Sequence, residues 1–371
     1  MKAAKATELS YEKTGVNRKI RRKSQIEIQG VLNRQAQKYP FGRPAKLPFG
    51  NLFPASKSLE YFYDLQIEGV GTKTLLAELA QKYDTIGIDG VAMAVNDVIR
   101  SGAHPVLISD GIHIARSDPE ILDSIVRGVQ SGAKDAECTL ASGETGDVRE
   151  ILHEKLSEAS LPFDLFVSCL GIAQKSEIIT GQISRGDQIV GLESSGIHSN
   201  GLSLARRVLL RKWGGVYDPH DVPEELGRPV IEELLEPTRI YVQALKKLKM
   251  AGLHPKATLH VTGDGLEKFR RLLDWRANNN SLGIALKLSR KPPIFELTMK
   301  AAGLLGSPIP AAEMFRTFNM GVGFALIFSR RDSEKAVDCL NNEFQAEKIG
   351  FVSDTRKISI QSPFSDKPVI L

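Results

Sequence analysis

The sequence predicts a two-domain protein of the α/β class, of the α+β type, with a mixed sheet and helices in each domain. The chain has 371 residues, which is long enough for two domains that each bury their own core. Short runs of aliphatic and aromatic residues repeatedly end in glycine, and segments with helical spacing of apolar residues follow them. This alternation is typical of sheets that are covered by helices.

The composition is that of an ordinary globular protein, with 42% hydrophobic and 25% charged residues. No apolar run approaches the roughly 18 residues that a membrane-spanning helix needs. The N-terminus also lacks the apolar core of a signal peptide. We therefore expect a cytoplasmic protein without a membrane partner.

Positive charge is concentrated near the N-terminus, although the net charge of the chain is only +5. Residues 17–23 contain five basic side chains, and prolines and glycines interrupt the segment that follows. Residues 1–57 are therefore interpreted as a basic arm or lid, and nucleic-acid binding by this run is the less favoured alternative. The three cysteines (Cys138, Cys169 and Cys339) are far apart and are expected to be buried thiols.

The N-terminal domain is organised around residues 68–73, which follow an apolar and aromatic run at residues 61–67 that predicts a strand. Glycines in this segment allow a tight turn and let backbone N–H groups approach an anion. Lys73 can offer a charge to a phosphate, and Glu68 can offer an oxygen ligand to Mg²⁺. A nucleotide-phosphate site is one interpretation, and a glycine turn with solvated charges is the other. The spacing does not match the P-loop pattern.

Four carboxylates of this domain lie at the ends of predicted elements or in apolar segments: Glu68, Asp97, Asp110 and Glu144. Asp97 follows Asn96 within a predicted helix over residues 87–102 whose other face is apolar. Each carboxylate alone is more commonly a surface acid. Their shared setting favours a site for Mg²⁺ and nucleotide phosphates.

A second domain is predicted to begin near residue 176. Its first strand leads to residues 194–201, where glycines and hydroxyls precede a helix and form a candidate anion site. His198 in this loop is interpreted as a phosphate donor or general acid/base, or as an ordinary loop histidine. Residues 260–265 repeat the order of strand, glycine turn and helix.

Several short motifs in a fixed order carry a family resemblance: residues 69–73, 84–89, 95–97, 143–145, 175–179, 198–201, 316–319 and 321–323. Together they resemble the aminoimidazole ribonucleotide synthetases, also called phosphoribosylformylglycinamidine cyclo-ligases, of purine biosynthesis. The resemblance begins in residues 11–16 and extends to the C-terminal strands. It implies a two-domain ATP-binding fold and a homodimer that pairs through the N-terminal sheets. The implied division is an arm over 1–57, an ATP-binding and dimerisation domain over 58–175, and a substrate-binding domain over 176–371.

The resemblance also implies the reaction. ATP would phosphorylate the formyl oxygen of formylglycinamidine ribonucleotide, and the amidine nitrogen would then close the imidazole ring. The products would be aminoimidazole ribonucleotide, ADP and phosphate, with Mg²⁺ required and K⁺ as a further possible ion. Such chemistry depends on positioning and charge neutralisation, and no serine or cysteine nucleophile is needed.

The family assigns functional residues by position. The residues implied as catalytic are Lys73, Asp97 and His198. Those implied for ATP binding are Gly69, Gly71, Thr72, Lys73, Asn96, Asp110, Gly143 and Thr145. Those implied for substrate binding are His198, Ser199, Asn200, Gly201, Thr262, Gly263 and Asn319. The implied metal ligands are Glu68, Asp97, Asp110 and Glu144.

The chain departs from the family at three places. Glu68 stands where aspartate is usual, and Asp264 stands where a third glycine is usual, which adds a negative charge near the implied substrate phosphate. Residues 45–50 replace a glycine-rich loop with a stiffer and more apolar segment. These departures bear on the substrate more than on the fold.

Two alternatives stay open from the sequence. The first is another ATP-dependent enzyme of the superfamily, such as a thiamine-monophosphate kinase or a formylglycinamidine ribonucleotide synthetase. A selenide water dikinase would need a cysteine in the arm, and a carbamoyl-dehydrating maturation protein would need one at the C-terminus, and neither is present. The second alternative is a non-catalytic nucleotide or nucleic-acid binding protein, which would show salt-sensitive binding.

Overall fold

The structure is a computed structural model that describes residues 8–15, 17–152, 161–275, 278 and 281–371. Val16, in the first family motif, lies outside the described residues, and so do the side chains of Arg18 and Lys19 in the basic run. No described helix is both long enough and apolar enough to span a membrane.

The first half of the chain contains these elements: α1 (Arg18–Ala36), β1 (Ala45–Leu47), β2 (Gly50–Pro54), β3 (Tyr61–Gly69), α2 (Thr74–Ala80), α3 (Asp84–Ile99), β4 (His104–Ile114), α4 (Pro119–Asp135), β5 (Thr139–Asp147) and β6 (Phe163–Gln174). Its six strands form one sheet in the order β1-β2-β3-β6-β4-β5. Only β4 and β5 pair in parallel, and the other neighbours pair antiparallel.

Helices α3 and α4 cover one face of this sheet. The carboxylate of Asp118 accepts hydrogen bonds from the backbone N–H groups of Glu120 and Ile121 and so caps the start of α4. The two helices approach so closely that a Cβ on Gly87 would lie 2.3 Å from the carbonyl oxygen of Ile125. Glycine is therefore required where α3 crosses α4.

The opposite face of the sheet is apolar and exposed. Leu65, Leu170 and Leu107 stand side by side on three neighbouring strands, and Ile67 follows on the same face. Leu65 and Ile67 keep 67% and 64% of their surface accessible. A patch of this kind commonly marks an interaction surface.

Two local predictions need correction. Glu144 was expected at the end of a predicted element, but β5 continues past it to Asp147 because it pairs with β4 along its length. The segment predicted as a separate arm also contributes to the sheet, since β1 and β2 form a hairpin that pairs with β3. Only the part around α1 stands apart from the sheet.

The second half of the chain contains these elements: β7 (Gln188–Glu193), α5 (Leu202–Leu209), α6 (Val230–Leu235), α7 (Val242–Met250), β8 (Ala257–His260), α8 (Arg270–Leu273), β9 (Gly283–Lys287), α9 (Pro293–Leu304), α10 (Ala311–Thr317), β10 (Val322–Phe328), α11 (Arg330–Phe344), β11 (Glu347–Ser353), β12 (Ile358–Ser362) and β13 (Ser365–Ile370). Its seven strands form a sheet in the order β13-β12-β9-β11-β7-β10-β8. Within it β9 and β12 pair in parallel, and the remaining pairs are antiparallel. The predicted α+β architecture is confirmed.

The cysteines are free thiols. Cys169 is buried on β6, and Cys138 and Cys339 are half-buried. Burial raises the pKa of the Cys169 and Cys138 thiols. Thiolate chemistry is therefore disfavoured at both positions.

Candidate functional site

One face of α3 carries the polar side chains that join the two halves of the molecule. The row begins at Asp89 and continues with residues 7, 8 and 11 positions later, which are Asn96, Asp97 and Arg100. These spacings place the four side chains on one side of a helix with 3.6 residues per turn. All four are buried, and residues of the second half of the chain bond to the side chains of Asp89, Asn96 and Asp97 and to the carbonyl oxygen of Arg100. We call this row of residues the α3 polar stripe.

Asp89 and Lys73 form a fully buried ion pair, with 2.7 Å between Lys73 Nζ and Asp89 Oδ2. Lys73 Nζ also donates a hydrogen bond to the carbonyl oxygen of Glu236 at 2.7 Å. The other oxygen of Asp89 accepts hydrogen bonds from Ser199 Oγ and from both the N–H and the hydroxyl of Thr238. Lys73 and Ser199 therefore hold the two halves together.

Asn96 makes a second connection between the halves. Its side-chain amide donates to the carbonyl oxygen of Arg239 at 2.8 Å and accepts from the N–H of Tyr241 at 2.9 Å. The implied ATP contacts of Lys73 and Asn96 stay predictions. Both side chains are buried and committed to the domain boundary, because the turn after β3 directs Lys73 inward.

A cluster of charged and titratable side chains surrounds Asp97. His260 Nδ1 lies 2.8 Å from Asp97 Oδ1, and Arg100 Nη2 lies 2.7 Å from Asp97 Oδ2. The charge of Asp97 also acts on the carboxyl of Glu68, and the charge of Lys268 acts on both. We call these five residues the Asp97 cluster.

The local environment shifts the pKa values of the cluster residues in different directions. Burial raises the pKa of Glu68 to about 7, and the charge of Asp97 adds to this shift. Burial also raises the pKa of Asp97, but Arg100, His260 and Lys268 outweigh it and hold that pKa well below its usual range. Burial lowers the pKa of Lys268 to about 8 and that of His260 to about 4. Opposed shifts among neighbouring groups are typical of functional sites.

Hydrogen-bond chemistry fixes the state of His260. An ionised Asp97 can only accept, so His260 Nδ1 carries the proton and donates it to the carboxylate. His260 Nε2 is then an acceptor, and it is buried without a hydrogen-bond partner in the described ranges. The histidine orients Asp97 from within the second sheet.

The β1-β2 hairpin covers the Asp97 cluster. The ring of Phe49 lies 5.0 Å from the Arg100 guanidinium and 5.9 Å from Lys268 Nζ, within the range of cation–π contact. A cavity of about 20 Å³ remains between this turn, Asp64 and Asp97, which is room for about one water. The apolar residues 45–50 therefore shield the cluster from solvent.

The four implied metal ligands do not assemble. Glu68 and Asp110 both face α3 because each is in register with Val167, but they lie two strands apart, about 10 Å. Glu144 is in register with Gly111 and so points from the opposite face. Among the described residues no group of three or more His, Cys, Asp or Glu side chains could hold a metal. The predicted four-carboxylate centre is therefore corrected for the single chain.

The histidine of the loop between β7 and α5 forms its hydrogen bond within the loop itself. His198 is buried, has a φ of 64°, and accepts a hydrogen bond at Nε2 from the N–H of Ser195. Burial holds the pKa of His198 well below its usual range, so the ring is neutral near pH 7. The implied substrate contact and general acid/base role of His198 stay predictions, for a neutral ring.

Asn319 belongs to the same loop framework. Its amide donates to the carbonyl oxygens of Gly196 and Ile197 and accepts from Ser194 Oγ and the N–H of Gly321. These bonds make the buried side chain a support for the loop, and its implied substrate contact stays a prediction.

Other predicted residues remain accessible. The exposed positions at the ends of β3 and β5 are Gly69, Gly71, Thr72, Gly143, Glu144 and Thr145. Asn200, Thr262 and Gly263 are half-buried on the second domain, while Gly201 is buried beside Phe318. The structure thus brings Asn200 and Gly263 together: a Cβ on Gly263 would lie 3.3 Å from Asn200 Oδ1.

Sequence reasoning missed Arg100, His260 and Lys268. The α3 pattern could have indicated Arg100, since it follows Asp97 by three residues on the same face. His260 could have been indicated by its place at the end of the apolar strand β8, because the motifs at residues 68–73 and 194–201 also follow strands. No local signal identified Lys268, because its role depends on the folding of the second domain against the first.

Comparison with known proteins places this geometry in a family. Residues 60–173 match the N-terminal domain model of AIR synthase related proteins, and residues 184–362 match the C-terminal domain model. The chain belongs to the AIR synthase family. Both models fall on the two sheets that meet at the α3 polar stripe.

Curated relatives share much of their sequence with this AIR synthase family member. Phosphoribosylformylglycinamidine cyclo-ligase of Pyrococcus furiosus is 37% identical over 86% of this chain and 84% of its own. The Thermococcus gammatolerans enzyme of the same name is 36% identical over 95% of this chain and 98% of its own. The Bacillus pumilus enzyme is 40% identical over 76% of this chain and 78% of its own.

Solved structures of the superfamily share the fold at low identity. Hydrogenase maturation protein HypE in complex with ATP matches with a TM-score of 0.56 and 15% identity, over 83% of this chain and 84% of its own. Thiamine monophosphate kinase from Aquifex aeolicus matches with a TM-score of 0.52 and 15% identity, over 83% of this chain and 89% of its own. These likenesses support the fold alone.

Proposed function

We propose that the chain is a phosphoribosylformylglycinamidine cyclo-ligase, which closes formylglycinamidine ribonucleotide to aminoimidazole ribonucleotide with conversion of ATP to ADP and phosphate. The observation that carries the proposal is the Asp97 cluster, in which a carboxylate organises Arg100, His260 and Lys268 at the boundary of two AIR synthase domains. The names of the curated relatives agree with this reaction. The cytoplasm is the location that this reaction of purine biosynthesis implies.

In this proposal the two domains bind different substrates. Residues 58–175 bind ATP at the accessible ends of β3 and β5, and residues 176–371 bind the ribonucleotide through the loops at Asn200 and Gly263. Lys268, buried beside Thr262, supplies a positive charge close to the ribonucleotide loops. Asp97 positions Arg100 and Lys268, so that charge on the transferred phosphoryl group can be neutralised.

Mg²⁺ fits the donor chemistry of the first sheet. This ion commonly takes one or two protein carboxylates together with substrate phosphates and water, so a full protein cage is not required. Glu68 and Asp110 face the same side of the sheet but lie about 10 Å apart, so we propose that each contributes to a separate Mg²⁺ held mainly by phosphates and water. Bound Mg²⁺ would neutralise phosphate charge. A requirement for K⁺ is a further proposal that enzyme assays with different monovalent salts would decide.

A homodimer through the N-terminal sheet is part of the proposal. The support is the exposed apolar row at Leu65, Ile67 and Leu107, which water would otherwise cover. Glu144 projects from that face as well, so pairing would bring it to the interface.

Ile67→Glu is expected to convert the dimer into a monomer, because it places a charge in the centre of an apolar interface. Light scattering after size-exclusion chromatography should give twice the 40.7 kDa chain mass for the wild type and that mass for the variant. Val222→Glu, at an apolar side chain that is 57% exposed outside the sheet, is the control. A wild-type monomer would refute the dimer.

The raised pKa of Glu68 predicts a pH dependence of stability. Its pKa of about 7 in the folded protein exceeds the ordinary value of 4.5, so the folded state binds more protons between those values. The contribution of Glu68 to the free energy of unfolding should therefore fall as the pH rises through this window, whereas His198 and His260, with lowered pKa values, contribute with the opposite sign. The difference between wild type and Glu68→Gln in urea unfolding across the window should isolate this decline. A difference that does not change with pH, or one that Glu60→Gln reproduces, would contradict the assignment.

The function itself is tested by turnover. Purified protein with magnesium, ATP and formylglycinamidine ribonucleotide should form aminoimidazole ribonucleotide and ADP in equal amounts. Intact ATP binding without ring closure would refute the proposed function and favour another substrate.

A further inference from the structure

A basic cavity of about 100 Å³ lies between α1 and the second domain. Its basic lining residues are Arg21, Arg22, Lys268, Arg270 and Arg271. Two acidic side chains, Asp264 and Glu267, also line it, so positive charge is in excess. Like charges gathered in one cavity repel one another and favour an anionic ligand.

The basic side chains differ in how far they are already paired. Arg22 faces Asp274 at 3.9 Å, and Arg270 donates to the carbonyl oxygen of Leu371 at 2.8 Å. Arg21 and Arg271 form no ion pair within the described part of the chain. Two guanidinium groups, one from each wall of the cavity, thus remain available to a ligand.

The cavity adjoins the loops that we propose for the ribonucleotide. A Cβ on Gly263 would lie 3.8 Å from Arg21 Nη1, on the side of the glycine that also approaches Asn200. Lys268, which lines the cavity, donates a hydrogen bond to Thr262 Oγ1 in the same loop. The helix α1 therefore brings an arginine of the N-terminal segment directly to the second domain.

We propose that this cavity is a phosphate subsite, in which Arg21 of α1 and Arg271 of the second domain bind the phosphate monoester of the ribonucleotide substrate. This inference rests on the proposed function. A guanidinium group presents paired N–H donors that match phosphate oxygens, and a phosphate monoester carries nearly two negative charges near pH 7. The ligand would relieve the repulsion between the cavity walls and fix α1 in place.

Asp264 places a negative charge in this subsite and should weaken its affinity for phosphate. Its carboxylate lines the cavity and acts on the charge of Arg271. The residue has a φ of 75°, a conformation that asparagine and glycine adopt more readily than most side chains. Asp264→Asn keeps that conformation and removes the negative charge, so it should lower the KM for the ribonucleotide about threefold to tenfold.

The test separates the two phosphate-bearing substrates. Arg21→Ala and Arg271→Ala should each raise the KM for formylglycinamidine ribonucleotide about 10- to 100-fold, while the KM for ATP stays within about twofold of wild type. Arg34→Ala removes an exposed arginine from the far end of the same helix and should change neither KM. Circular dichroism and thermal unfolding would verify that each variant is folded.

A binding measurement makes the result independent of turnover. Ribose 5-phosphate should bind the wild type in calorimetry and bind Arg21→Ala at least about tenfold more weakly. A rise in the KM for ATP alone, or no change in either KM and in ribose 5-phosphate affinity, would overturn the subsite. Arginine-dependent binding of ribose 5-phosphate by a protein that forms no ring product would support the subsite and refute the proposed function.

Discussion

Lys73→Met is expected to lower the free energy of unfolding by about 3–5 kcal/mol, because it leaves a buried carboxylate without its partner charge. Both side chains of the Lys73–Asp89 pair are fully buried. Lys73 also satisfies the carbonyl oxygen of Glu236, so the substitution removes a contact across the domain boundary as well. Chemical denaturation should report the loss as a lower midpoint.

The matched control is Lys82→Met, which removes an exposed lysine close by in the chain and should change stability by less than about 0.5 kcal/mol. Adding Asp89→Asn to Lys73→Met should recover part of the loss, because it removes the uncompensated charge and keeps an acceptor for Ser199 and Thr238. Equal stability of Lys73→Met and wild type would mean that the residue is not committed to the domain boundary.

Asp97→Asn is expected to lower kcat by about 100- to 1000-fold, the size of effect seen when a preorganised charge is removed from an active site. The asparagine is nearly isosteric, so it can still accept from His260, but it no longer neutralises Arg100 or acts on Glu68. Steady-state kinetics should show a loss mainly in kcat, with the KM for ATP little changed.

Two comparisons separate this effect from loss of folding. Asp123→Asn breaks an exposed ion pair with Arg127 on α4 and should leave kcat unchanged. Asp97→Asn should also retain a cooperative unfolding transition, so that activity is measured on folded protein. A variant at Asp97 with full turnover would remove the Asp97 cluster from the mechanism.

Much of the fold could be predicted because it depends on local patterns. The helical spacing of apolar residues in α3 and the apolar, aromatic run of β3 both appear in the structure near the expected positions. The extent of β5 could not be predicted, since its polar residues 142–147 are held by pairing with β4. Strand pairing over a distance leaves little trace in a polar edge strand.

The site was less accessible to sequence reasoning. Motifs located Glu68 and Asp97, but the orientation of Lys73 depends on a turn that directs it toward Asp89 and Glu236. The expected gathering of Glu68 and Glu144 fails because alternation along neighbouring strands places them on opposite faces. Such relations follow from register and domain packing, which no short motif contains.

The most direct test of the cyclo-ligase assignment follows the formyl oxygen of the substrate. If ATP phosphorylates this oxygen before ring closure, a heavy-oxygen label in the formyl group must leave in inorganic phosphate. Mass spectrometry should then find one labelled oxygen in each phosphate, with equal amounts of ADP and aminoimidazole ribonucleotide. Unlabelled phosphate, or ADP release without ring formation, would contradict the assignment.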